Sequence, residues 1–288
     1  MIMKNHLDLS KQTAIITGGA GLLGKVYSAA LLECGAKIII LDKKINRKKL
    51  ESDLRHEFSI TQKKIQNITL IECDITKPQQ VKKSFFTLKE KLTDLKILIN
   101  NASLVKQVGK DTLVSAYKPF LKMDKKDWEE YFDVDLSGTM LVTQNAIPFM
   151  QKNGGGSIIN ISSTYGILSP DQRLYKFFNA KLSQKEKKMG LKIEKPIGYS
   201  ISKSGILNLT RFLATKFAQD NIRVNTLTLG GVYDNNPIEF VKLYEERTPI
   251  GRMANKKEYA GPLLFLASNM SSYMTGSNLI VDGGWSAW

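Results

Sequence analysis

Histidine and cysteine are almost missing from this chain of 288 residues: His6, His56, Cys34 and Cys73 are all it has. So few histidines argue against a histidine-based metal site and against a Ser-His-Asp triad, and no metal is expected. Proton chemistry, if there is any, needs another residue type. The two cysteines stand in no metal-ligand spacing and read as reduced thiols, not as a disulfide framework. Long apolar runs are also missing. Stretches such as Ile38-Ile39-Ile40-Leu41 are far short of the ~20 residues that span a bilayer, and Met1–His6 lacks the apolar stretch of a signal peptide. A cytoplasmic protein with no membrane partner is expected. Acidic residues are outnumbered, 27 against 42 basic, for a net charge of +15. Three readings fit that surplus: a nucleic-acid surface, a lysine-rich exterior, or attraction of an anionic substrate. The lysines are spread over the whole chain, which favours a lysine-rich exterior over nucleic acid.

What is present is a regular alternation. Short β-branched runs at Thr13–Thr17, Lys37–Leu41, Ile68–Ile71, Ile97–Asn100, Ser157–Ile161, Arg223–Leu227 and Asn278–Val281 read as strands buried on both faces. Longer amphipathic stretches, among them Asn46–Phe58, Pro78–Leu92, Asp127–Met150 and Ser200–Gln219, read as helices. The series predicts an α/β fold: one doubly wound parallel sheet of about seven strands, helices on both faces, and ligands at the carboxyl ends of the strands. With no repeat or linker, residues 1–288 form one domain. Residues 164–198 look like an insertion and 230–257 like a mobile loop-helix excursion.

Thr17-Gly18-Gly19-Ala20-Gly21-Leu22-Leu23-Gly24 follows the first strand and opens a helix. Glycines there permit a tight turn and let backbone N–H groups approach a pyrophosphate at the helix N-terminus. Asp42 ends the second strand. Its carboxylate can accept from both ribose hydroxyls of NAD and would repel the 2′-phosphate of NADP. Lys43, Lys44 and Arg47 follow and soften that repulsion, so NAD is favoured and NADP stays open. Asp74 either contacts the adenine with Ile75 or caps a helix ahead of Pro78.

Tyr199-Ser200-Ile201-Ser202-Lys203 places a phenol and an ammonium four residues apart, on one helix face. A free tyrosine titrates near ~10, and a nearby ammonium favours the phenolate. Ser163, at the end of the fifth strand, can donate to a substrate carbonyl and steady the developing alkoxide, or can simply complete a turn.

Together these residues resemble the short-chain dehydrogenase/reductase family over nearly the whole chain. Further matches are Asn100-Asn101-Ala102-Ser103, Arg223-Val224-Asn225 and Val281-Asp282-Gly283-Gly284. The resemblance implies hydride transfer between a nicotinamide and a carbinol or ketone carbon. Tyr199 would exchange the proton, Lys203 would tune it and hold the ribose, and Ser163 would position the substrate oxygen. Gly18, Gly21, Leu22, Leu23, Gly24, Asn101, Ala102, Gly230 and Val232 would line the cofactor site, and a homodimer or homotetramer would form through the two long helices.

Four departures stand out. Gly21-Leu22 replaces the family's usual residue-then-glycine. Asp135 occupies the position of the catalytic Asn, adding a charge near Lys203 and putting the usual water-linked relay in question. Leu229 replaces a Pro before Gly230. Ser163 and Tyr199 are 36 positions apart, where about a dozen is common. The extra segment holds Asp171, Gln172 and Arg173, and seven lysines from Lys176 to Lys195. It reads either as a cover that recognises an anionic, hydroxyl-rich substrate such as a phosphorylated or nucleotide-linked sugar, or as a hairpin at a subunit edge with its lysines in water. As a cover, Asp171, Gln172 and Arg173 are its candidate contacts, and Thr164 and Tyr233 are further candidate substrate residues. The insertion, Thr248–Ala254 and the C-terminal Asp282–Trp288 resemble oxidoreductases of flagellin-glycan and sialic-acid-like sugar biosynthesis. Trp285 and Trp288 are expected at a subunit contact. Two other functions remain open: a ketone reductase for lipid or aromatic substrates, suggested by Phe120, Trp128 and Phe240, and a non-catalytic nucleotide-sensing module.

Overall fold

The computed structural model describes residues 6–105 and 119–288. Seven parallel strands form one sheet in the order β3-β2-β1-β4-β5-β6-β7. They are β1 (Thr13–Thr17), β2 (Lys37–Asp42), β3 (Ile68–Glu72), β4 (Leu95–Asn100), β5 (Gly156–Ser163), β6 (Ile222–Leu229) and β7 (Asn278–Val281). The order reverses between β1 and β4, the position where open α/β sheets bind ligands. The helices used below are α1 (Leu22–Glu33), α2 (Arg47–His56), α3 (Pro78–Leu88), α4 (Lys125–Phe132), α5 (Thr139–Lys152), α6 (Ile197–Phe217), α7 (Ile238–Glu245) and α8 (Ala260–Ala267). Two apolar layers sandwich the sheet. One gathers Ile16, Ile38 and Ile40 with Leu31 and Leu263; the other gathers Ile15, Ile39 and Leu98 with Val142 and Phe85. Alternate residues of each strand enter opposite layers, so the strands are apolar throughout.

Every expected strand is present. The long helix over 127–150 is interrupted: α4 and α5 are joined by a six-residue π-helical segment, Asp133–Gly138. At Gly138 a Cβ would stand 2.7 Å from Ile75 Cδ1, so glycine lets the Ile75 side chain pack there. Helix α6 starts at Ile197, earlier than the periodicity suggests, because Pro196 sets its entry.

The insertion has its own apolar cluster. Leu174, Tyr175, Phe178, Leu182 and Ile193 pack against Val241, Tyr244 and Met253 of the 230–257 excursion, and against Trp285. Trp285 is therefore not left for a subunit contact: it is 2% exposed and stacks on Tyr244 with ring centroids 4.4 Å apart. Trp288 is 74% exposed. Arg223 fixes the end of α8 and the turns leading to β7, donating to the carbonyls of Leu266, Ser268 and Met274 and to the Ser271 hydroxyl.

The turn after β1 is tight enough to forbid side chains. A Cβ at Gly24 would lie 2.3 Å from Gly18 O and 2.5 Å from Gly19 Cα. Gly24→Ala therefore lowers stability by about 1–3 kcal/mol, the usual cost of overpacking, and weakens dinucleotide binding by moving the turn. Gly261→Ala, where a Cβ meets nothing within 4 Å, raises helix propensity and leaves stability equal or higher. Thermal and denaturant melts of the two variants check both signs.

Candidate active site

The carboxyl end of β5, the start of α6 and the π segment meet at one point. Ser163 is the last residue of β5, and its hydroxyl accepts from the Tyr165 N–H at 3.2 Å. Tyr199 and Lys203 lie one turn apart on α6. Lys203 is 3% exposed; its Nζ donates to Ile161 O at 3.1 Å and stands 3.8 Å from Asp135 Oδ1. Asp135 is 1% exposed. Its Oδ2 accepts from Ser202 Oγ at 2.6 Å and its Oδ1 from Leu104 N at 3.3 Å. A buried charge persists only when it is paired and hydrogen-bonded, and each of these two charges meets that need.

The electrostatics differ from the expectation that Lys203 depresses the phenol. Tyr199 is pushed up to about 12, chiefly by burial. The Ser163 hydroxyl bonded to the phenol lowers it, while the Asp135 carboxylate raises it. Burial pulls Lys203 down, with Asp135 opposing. The ammonium is turned to Ile161 and Asp135, with Nζ 5.9 Å from the Tyr199 ring centroid. In place of the family's neutral Asn, Asp135 offsets the charge that would otherwise favour phenolate.

A second ammonium, missed by the sequence reading, reaches the same phenol. Lys195 Nζ lies 3.9 Å over the Tyr199 ring and 5.7 Å from the Tyr165 ring. The run Lys195, Tyr199, Lys203 at steps of four was a visible signal, although Lys195 precedes the helix. The proposed substrate contacts are largely engaged within the protein. The Arg173 guanidinium is held by Asp171, with Nη2 to Oδ2 at 2.7 Å, and Asp171 also meets Arg247 at 3.4 Å. Gln172 hydrogen-bonds the Lys195 backbone. Thr164 is buried and donates to Leu229 O at 2.9 Å. Tyr233 is half exposed and lines a cavity of about 690 Å³ with Asp234, Glu245 and Arg252.

Around the β1–β4 reversal the residues fit a dinucleotide. Gly18 has φ +62°, and a Cβ there would sit 2.9 Å from Ala102 Cα. Thr17 Oγ1 accepts from the backbones of Asn101 and Ala102, and Asn101 Nδ2 donates to the carbonyls of Thr17 and Gly18. Gly21 caps α1 without a side-chain bond, so the first-turn N–H groups of Leu22, Leu23 and Gly24 face the turn uncapped by any side chain. Asp42 Oδ2 accepts from Ala20 N at 3.0 Å. Asp74 is not the cap of α3, whose N-cap is Lys77. It closes its own turn through Thr76 and pairs with Lys43 at 2.9 Å. Gly230 N donates to Val281 O, and Val232 bridges to Ala254, beside β7.

Comparison with known proteins fits this geometry. Residues 12–176 match the short chain dehydrogenase model, and residues 188–286 match a model described as enoyl-(acyl carrier protein) reductase. The chain belongs to the short-chain dehydrogenase/reductase family, and is an NAD(P)-dependent oxidoreductase. It is 32% identical to D-arabinitol 2-dehydrogenase (ribulose-forming) of Scheffersomyces stipitis, covering 98% of this chain and 96% of that one. It is 28% identical to the 3-oxoacyl-[acyl-carrier-protein] reductase FabG of Aquifex aeolicus, over 97% and 99%. It is 29% identical to the post-translational flagellin modification protein A of Campylobacter coli, over 96% and 99%. Among solved structures, a short chain dehydrogenase of Leptospira borgpetersenii with bound NAD+ is similar at TM-score 0.79 and 28% identity, over 99% and 95%. No helix among the described residues is long and apolar enough to cross a membrane.

Two variants read the site. Tyr199→Phe lowers kcat by about 10²–10⁴-fold, the usual worth of a general acid–base, with dinucleotide affinity within a few-fold. Asp135→Asn removes a charge that raises the phenol, so the pH profile of kcat/KM for oxidation moves to lower pH. Stopped-flow and steady-state pH profiles measure these two outcomes.

Proposed function

We propose that Tyr199, Ser163 and Lys203 form the proton-transfer centre of an NAD-dependent dehydrogenase acting on a carbinol or ketone of a polyhydroxylated small molecule: a sugar, sugar phosphate or nucleotide sugar. The observation that carries this reading is a half-buried phenol hydrogen-bonded by Ser163 and one helical turn from a buried ammonium, at the carboxyl edge of β5. When bound, the nicotinamide supplies or accepts the hydride. Ser163 holds the substrate oxygen, and Tyr199 takes its proton in oxidation or returns it in reduction. Lys203 steadies the ribose and is itself oriented by Ile161 O and Asp135.

Two features favour NAD over NADP. Asp42 presents a carboxylate at the end of β2, and two of the cations after it are already engaged, Lys43 by Asp74 and Arg47 by Glu51. Polar residues at the insertion, and relatives that include an arabinitol dehydrogenase and a flagellin modification protein, support a hydroxyl-rich substrate in glycan biosynthesis. Our reading also puts the enzyme in the cytoplasm, as a homodimer or homotetramer, with the insertion and the 230–257 excursion flanking the substrate.

The test is nicotinamide reduction measured with pentitols, sugar phosphates, nucleotide sugars and a 3-oxoacyl thioester. Turnover of a polyhydroxylated substrate with NAD at least tenfold better than NADP is expected. Turnover confined to the thioester would replace this reading with a lipid reductase. Tight cofactor binding with no turnover of any substrate would replace it with a sensing module.

A further inference from the structure

Of the seven lysines between Lys176 and Lys195, six are exposed and Lys195 alone is half-buried. Its ammonium rests on the face of the Tyr199 ring. Among the described residues no carboxylate pairs with it. The adjacent Glu194 is turned elsewhere, to Lys192 at 3.4 Å and to the backbone N–H of Phe120 at 2.9 Å. The backbone of Lys195 is fixed. The Gln172 carboxamide accepts from its N–H at 2.8 Å and donates to its carbonyl at 3.3 Å, and Pro196 follows at the entry to α6. A pinned, partly desolvated cation without a counter-ion beside the proton-transfer phenol is costly unless something anionic meets it. Arg173, the arginine of the segment, already has its carboxylate.

We propose that Lys195 receives an anionic group of the substrate, a carboxylate or phosphate borne near the carbinol carbon, so that the enzyme prefers an acidic or phosphorylated polyol to the neutral polyol of equal length. The inference rests on the dehydrogenase reading of Tyr199. Lys195 and Tyr199 lie close enough that one small substrate meets both. Gln172 acts as a positioning residue by holding the Lys195 backbone.

Four groups act on this ammonium: Tyr199 and Lys203 of α6, Tyr165 after β5, and Asp135 of the π segment. Burial first, then the Lys203 charge, bring Lys195 down to about 8, with Asp135 opposing. The lysine is cationic below that pH and neutral above it. Affinity for an anion is therefore full below about 8 and falls as pH rises past it.

The experiment compares kcat/KM of the wild type, Lys195→Gln and Lys195→Arg for a pentitol, the aldonic acid of equal length and the pentitol phosphate, across pH, with melts confirming that each variant folds. The wild type should prefer an anionic substrate, and whichever of acid and phosphate is preferred names the source of the charge. Lys195→Gln should lose at least 30-fold more on that substrate than on the pentitol, mostly in KM. Lys195→Arg should recover most of the loss. The alkaline limb near pH 8 should accompany the anion and be missing in Lys195→Gln. Equal losses on charged and neutral substrates, or a wild type indifferent to charge, would overturn the inference and leave the dehydrogenase reading standing. No turnover of any of the three would overturn the inference and leave the dehydrogenase reading to the wider substrate panel above.

Discussion

The buried pair of Lys203 and Asp135 is the constraint around which the site is built. An ammonium and a carboxylate taken out of water cost several kcal/mol each unless every charge finds partners. The carboxylate takes the Ser202 hydroxyl and the Leu104 N–H; the ammonium takes Ile161 O. Those partners come from β5, α6, the segment after β4 and the π segment. Fixing this one pair therefore fixes four pieces of chain against one another. A regular α-helix over 127–150 would advance differently from the six-residue π segment that delivers Asp135, and such segments are frequent at functional sites.

A second set of buried polar contacts ties the sheet to the same helix. Asn100 Nδ2 donates to Thr143 Oγ1 and Asn160 Oδ1, Asn160 Nδ2 donates to Thr210 Oγ1, and Thr226 Oγ1 donates to Thr210 Oγ1. The chain runs from the carboxyl end of β4 through β5 and β6 into α6. Each bond is worth little net, but leaving any one member unpaired in the interior costs more than the bond returns. The network thus penalises any register of α6 that would turn Tyr199 away from Ser163.

Local chemistry decided what was legible in the sequence. The strands announce themselves because both faces are buried, and the glycine turn because sterics allow nothing else there. Tyr199 and Lys203 could be paired on a helix from spacing alone. The effect of Asp135 on the phenol could not, since it depends on which way Lys203 turns once buried. Arg173 looked free because its partner Asp171 is only two residues away, a separation that pattern-reading treats as neutral. Lys195 was hidden among seven similar lysines, and only the fold shows that one of them is held against the phenol. Trp285 was assigned to a subunit contact because the tyrosine it stacks on, Tyr244, is far away in sequence.

The satellite cluster couples the insertion to the excursion after β6. Leu174, Tyr175 and Phe178 of the insertion share an apolar core with Val241 and Tyr244 of the excursion after β6. The Tyr244 hydroxyl in turn accepts from Gly231 N, between Gly230 and Val232. Side chains packed in one core respond together to a change in volume. The insertion and the excursion are therefore one body, anchored at Ser163 of β5, at Pro196 on the entry to α6 and at Gly231 after β6, and a shift in either carries Lys195 with it. Changes within that body alter what stands over Tyr199. They leave the Lys203–Asp135 pair, which is held by the sheet and α6, where it was.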